Sequence, residues 1–173
     1  MASELINRVA QSGLLTIDLQ KFADDLDFIS FDLKDYLFRE LILKEKDFRE
    51  AIKNIDTQVY KDRQVLIYCS KDVIIPMWAY MLVAAQLSNV AKNVLAISPA
   101  EFAAFRWISI IDKMDLSIYA DQRVIIKGCN EINLPPAAYT HLTQLLLPHV
   151  KSLMFGEPCS TVPIFKRKSE NVE

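Results

Sequence analysis

Two hydrophobic periods interleave along the chain. Short β-branched runs bounded by polar turns, Val65–Tyr68 and Val124–Lys127, predict strands, and Asn93–Ile97 and Ser152–Phe155 predict two more. Between the members of each pair lies a longer apolar segment opened by proline, Pro76 in one case and Pro135–Pro136 in the other. Proline fits the first turn of a helix, where its missing N–H costs nothing. The first of these helices is apolar all round (Met77, Trp78, Tyr80, Met81, Leu82, Val83) and reads as buried; the second keeps Thr140, His141 and Gln144 on one face and reads as more exposed. Phe48, Ile52 and Ile55 recur at helical spacing and predict a helix over Lys44–Asn54. Ser98-Pro99-Ala100-Glu101 is a capping box whose helix should run to about Lys113. Leu33, Tyr36, Leu37 and Leu41 suggest a short helix after a strand near Phe28–Phe31, and Leu14–Leu19 suggests an edge strand. Strands alternating with helices predict an α/β fold, a mostly parallel sheet flanked by helices.

The same pattern occurs twice. Laying Phe48–Pro99 over Trp107–Pro158 at a constant spacing of 59 residues gives 12 identities in 52 positions, among them Asp56/Asp115, Tyr60/Tyr119, Asp62/Asp121, Pro76/Pro135 and Leu87/Leu146. Ordinary composition would give roughly 3 or 4. The expectation is an internal duplication (48–99 and 107–158) inside a single domain over residues 1–165, with a polar tail over 166–173. The recurring Tyr60/Asp62 and Tyr119/Asp121 are read as fixing turn geometry.

Composition narrows the function. The chain has 173 residues, 51% hydrophobic and 24% charged, which fits a globular protein and not a disordered one. A formal charge of −2 supplies no basic excess for nucleic acid. Gly13, Gly128 and Gly156 are the only glycines and cannot form a glycine-rich phosphate loop. The uncharged stretches Val73–Ala91 and Ile132–Val150 approach membrane-span length, but each contains proline and polar residues and reads as a core helix. No signal peptide opens the sequence, so a cytoplasmic location without membrane partners is expected, with reduced thiols.

Those thiols are the main chemical lead. Cys69, Cys129 and Cys159 each fall just past the C-terminal end of an expected strand, where open α/β sheets bind ligands. Three soft sulfur ligands on one edge would suit zinc or an iron–sulfur cluster, with Asp72, Glu131 and Glu157 as possible fourth ligands. The spacings are not those of a CxxC knuckle. His141 and His149 lie away from these strand ends, and no histidine is placed to serve a cysteine nucleophile. Two further readings stand beside the metal site: a non-catalytic dimeric binding or scaffold module with incidental cysteines, and a thiol-based sulfur carrier.

The chain also resembles an uncharacterised bacterial family, domain of unknown function number 2480. The resemblance rests on Phe31-Asp32-Leu33-Lys34-Asp35, Leu41–Arg49, Pro76-Met77-Trp78-Ala79-Tyr80-Met81-Leu82, Lys127-Gly128-Cys129 and above all Met154–Pro163. It implies a single-domain cytoplasmic protein with no established activity. It also implies an association with iron–sulfur assembly proteins, through neighbouring genes.

Overall fold

Val65, Leu66 and Ile67 are all buried, and so are Val124, Ile125 and Ile126, as the central strand of an α/β sheet requires. Around these two triplets the computed structural model, which describes residues 13–23, 27–128, 132–157 and 159–168, builds two compact units. A continuous unit spans Asp25–Ala103; a split unit takes Met1–Asp24 and Ala104–Glu173. The fold class is α/β with mostly parallel strands; among the described residues the parallel strands lie in two sheets, and a third, two-stranded sheet is antiparallel.

In the continuous unit β2 (Ile29–Asp32) leads through a 3-10 turn to a small antiparallel hairpin, β3 (Leu37–Phe38) and β4 (Ile42–Leu43). Helix α1 (Glu45–Lys53), β5 (Gln64–Tyr68), α2 (Met77–Leu87) and β6 (Asn93–Ala96) follow. The sheet order is β2-β5-β6, all parallel. In the split unit β1 (Leu14–Ile17) comes first in the chain. The rest is α3 (Pro99–Ile111, which begins before Ala104), β7 (Arg123–Lys127), α4 (Pro136–Leu146), β8 (Ser152–Glu157) and β9 (Ser160–Lys166). Its order is β1-β7-β8-β9, with only β9 antiparallel.

The 59-residue spacing found in the sequence coincides with matched structural roles. Each helix core repeats: Ala79, Val83 and Leu87 are fully buried, and so are Ala138, Leu142 and Leu146. Asp62 and Asp121 hold φ of 57° and 56°, and their N–H groups bond the carbonyls of Val90 and His149. The turn role expected of both aspartates is what the backbone shows. Asp56 and Asp115 each accept the N–H two residues on, from Gln58 and Ser117.

The match extends to strands that the spacing does not link. Ile17 pairs with Ile126 as Phe31 pairs with Ile67, and each is followed by an aspartate and a buried leucine, Asp18-Leu19 and Asp32-Leu33. Both aspartates cap the 3-10 turn that follows. Between β1 and the rest of its own unit lies the whole continuous unit.

Most expected elements are present, including the edge strand β1, the capping box and the proline-led helices. Strand β9 and the hairpin β3–β4 are present beyond the elements that the hydrophobic pattern predicts. Among the described residues no helix is long and apolar enough to cross a membrane.

Candidate functional site

The carboxyl ends of β5 and β6 frame a cavity of about 500 Å³ in the continuous unit. Cys69 follows β5 directly and reaches the cavity half-buried. Tyr68 and Tyr80 line it with Met77 and Met81 from the first turns of α2, and Ser98 and Glu101 close it from the start of α3. The loop after β5 is held by Asp32, whose carboxylate accepts the Ser70 N–H at 3.0 Å and the Lys34 N–H at 3.0 Å. Burial pushes the Asp32 pKa up, but the hydrogen bonds from Ser70 and Lys34 outweigh it and leave it below the ordinary value.

Two of the polar side chains that line the cavity, Ser98 and Glu101, are committed to each other. Glu101 receives the Ser98 hydroxyl at 2.6 Å and the Ser98 N–H at 2.9 Å, while its own N–H reaches the Ser98 oxygen at 3.3 Å. This is the capping box read from the sequence, and its hydrogen bonds hold Glu101 below the usual carboxylate range. Burial, with the neighbouring Cys69, raises the Tyr80 pKa and keeps its hydroxyl protonated. The cavity therefore presents a thiol, two aromatic rings and two thioethers, and its only carboxylate is occupied by a serine. That is a lining for apolar contact more than for proton transfer.

The cavity opens onto the least expected surface of the molecule. The all-apolar sequence of α2 predicts a helix buried on all sides; the structure corrects this. Met77 and Met81 are each 70% exposed, Ala85 is exposed on the next turn, and Ile74, just before the helix, is 92% exposed. The Ala79–Val83–Leu87 stripe is fully buried in the core, and Trp78, Tyr80, Leu82 and Ala84 pack half-buried against it. The same three outward positions of α4 carry Pro136, Thr140 and Gln144. There Thr140 bonds back to the carbonyls of Pro136 and Ala137, as an ordinary solvated helix face would.

The expected cysteine edge takes a different form. Cys69 and Cys159 do lie past strand ends, but those strands, β5 and β8, belong to different sheets in different units. Cys159 sits exposed in the turn between β8 and β9, and both thiols are free. Cys129 and Glu131 lie outside the described residues. Of the other ligands considered, Asp72 is exposed beside Cys69's loop and Glu157 ends β8. No group of three or more His, Cys, Asp or Glu among the described residues is placed to hold a metal ion. His141 bonds Asp112 at 2.7 Å, and His149 supplies its carbonyl to the Asp121 N–H.

A protein-family model described as "Protein of unknown function (DUF2480)" matches residues 3–167. No curated protein and no solved structure matches the chain.

Proposed function

The chain belongs to the DUF2480 family of proteins of unknown function, and for this member we propose a non-catalytic binding module that works as a homodimer joined through α2. One observation carries the reading: equivalent positions of two matched helices are Met77, Met81 and Ala85 in α2 but Pro136, Thr140 and Gln144 in α4. The scaffold does not require an apolar residue there, because α4 manages without one.

A second copy of this chain is the occupant that the surface chemistry favours. Two-fold pairing sets each patch against itself, so any charge on it would face its own kind. From Val73 to Ala91 there is no charged residue at all. Methionine adapts to the irregular surface that a self-pairing helix presents. Met77 and Met81, one turn apart, would cross their symmetry mates and close the Cys69 cavity from outside.

Sedimentation of the full chain across a concentration series tests this. A dimer is expected for the native protein, a monomer for Met77→Lys/Met81→Lys, and an unchanged dimer for Thr140→Lys/Gln144→Lys at the matched positions of α4. A native monomer at tens of micromolar, or a dimer indifferent to both methionines, would defeat the proposal.

A second reading keeps the cysteines as a zinc or iron–sulfur site serving iron–sulfur assembly proteins. It is supported by Cys69 lining a cavity and by the exposure of Cys159 past β8. Anaerobically purified protein should then carry metal that the Cys69→Ser/Cys129→Ser/Cys159→Ser variant lacks. Equal metal content in the two would end it. A sulfur carrier would instead show one cysteine alkylating far faster than the others at neutral pH.

A further inference from the structure

The split unit carries a second cavity, of about 800 Å³, at the amino ends of β7 and β8. Its rim is cationic. Arg123 opens β7, Lys151 precedes β8, and Lys166, Arg167 and Lys168 follow one another off the end of β9. Asp121 is the only acid among the lining residues, and Arg167 already takes it at 2.5 Å. The Arg167 guanidinium is steadied further by the Pro148 carbonyl at 3.2 Å, and its backbone N–H bonds the carbonyl of Lys151 at 3.0 Å. Arg123, Lys151, Lys166 and Lys168 have no ion-pair partner among the described residues. Four cations with no carboxylate partner among the described residues thus line one cavity in a chain whose net charge is −2.

The floor is apolar. Met154 of β8 lies against Pro163 of β9, at the place where the ladder between those strands shifts register, and Phe165 completes the surface. A bulge of this kind re-aims side chains and opens a sheet locally. Among the described residues of the continuous unit the matched positions differ: Gln64 stands where Arg123 does, no strand follows β6 in its sheet, and Lys92 answers to Lys151. The cations therefore accompany β9 and are not part of the pattern that the two units have in common.

The geometry points to a binding site for a small ligand bearing two or more phosphates on an apolar ring, a nucleoside diphosphate or triphosphate in class. Arginine and lysine grip phosphate oxygens through charge-assisted hydrogen bonds, and a held guanidinium adds direction. A concave volume of this size suits a single small molecule better than an extended polymer. Asp121 is spent on Arg167, so the described lining residues offer no free carboxylate to hold a bridging Mg²⁺, and the cations meet phosphate charge directly. The site is independent of the α2 pairing proposed above.

Calorimetric titration of the full chain with ATP, ADP, AMP, adenosine and inorganic tripolyphosphate tests it. Affinity should fall from ATP to ADP to AMP, with adenosine unbound, and excess Mg²⁺ should weaken ATP binding by masking its charge. Lys151→Glu should lower ATP affinity by about tenfold and Arg123→Glu/Lys151→Glu by about 100-fold, since losing one charge-assisted contact costs on the order of a tenfold step. Lys92→Glu makes the same charge change at the matched position and should cost nothing. These side chains are exposed, and unchanged circular dichroism establishes that the variants fold; Lys166→Gln offers a gentler substitution with the same expected direction. The proposal is overturned by any of four results. These are no ATP binding, an equal loss from Lys92→Glu, tripolyphosphate as tight as ATP, and a short polyglutamate peptide tighter than ATP.

Discussion

Helices α2 and α4 leave the same kind of turn, with Pro76 and Pro135 as their N-caps, and bury the same three positions. They part company on the side that faces water. The inward residues answer to the sheet beneath them and so converge; the outward residues answer to whatever the helix meets, and there the two units diverge. The amino ends of the sheets repeat the lesson with charge, since Arg123 at the cationic cavity of the split unit is matched by Gln64 in the continuous one. Matched cores identify what holds the fold, and mismatched surfaces identify where to look for function.

The largest expected effect lies where the units agree. Leu87→Ala and Leu146→Ala each remove a fully buried side chain from an equivalent place, and each should cost about 2–5 kcal/mol. Hydrogen exchange should resolve the two losses, with faster exchange in β5 and β6 for the first and in β7 and β8 for the second. Identical exchange patterns from both variants would mean that the units do not open separately.

Next comes Gly156, where φ is 125° and an added Cβ would stand 2.5 Å from the Ser160 carbonyl oxygen. Gly156→Ala should disrupt the pairing of β8 with β9 and cost at least about 2 kcal/mol. If the cationic cavity depends on β9, the same variant should lose ATP binding. The continuous unit, having no β9, should keep its exchange protection.

Helix starts offer a smaller contrast. Helix α3 has a side-chain cap, whereas α2 and α4 begin at prolines that supply none. Ser98→Ala should cost about 1 kcal/mol by denaturant unfolding. The Glu101 pKa is lowered in the folded chain from its ordinary 4.5. Its contribution is therefore present above that value and lost as pH falls through the depressed folded value. Asp115, lowered by its bonds from Ser117, and Asp32 act in the same direction. The native protein should lose stability progressively on acidification below about 4.5, and Ser98→Ala should flatten part of that slope.

The smallest effects concern strained turns. Replacing Asp62 or Asp121 with glycine relieves a left-handed backbone, worth up to about 1 kcal/mol. Asp121→Gly also forfeits Arg167, so the gain in melting temperature should be smaller than for Asp62→Gly.

Much of this architecture was legible in the amino-acid pattern, and the failures are physical. The central strands and proline-led helices announce themselves through β-branched runs and turn chemistry. Strand β9 does not, because Pro163 stands in its middle; it is tolerated there because β9 is an edge strand. The hairpin β3–β4 turns on Arg39 and Glu40, both at positive φ, where glycine or asparagine would normally signal such a turn. The apolar sequence of α2 was legible, but its exposure was not: periodicity cannot tell a face buried in its own fold from one kept for another molecule. For the cysteines, position past strand ends was readable for Cys69 and Cys159, while membership of one sheet was not. That depends on which strands pair across long stretches of chain.

The nesting of one unit within the other bears on how the protein is made. Asp18, at the end of β1, bonds Lys127, at the end of β7, and 109 residues separate them. At translation rates of about 5–20 residues per second, the first strand waits roughly 5 to 20 seconds for its partner to be synthesised. The continuous unit has all its strands by then and can fold during that interval. Through the wait, Leu14, Leu15 and Ile17 remain an apolar segment without the strand they pair with, a natural target for chaperones, until β7 has been synthesised.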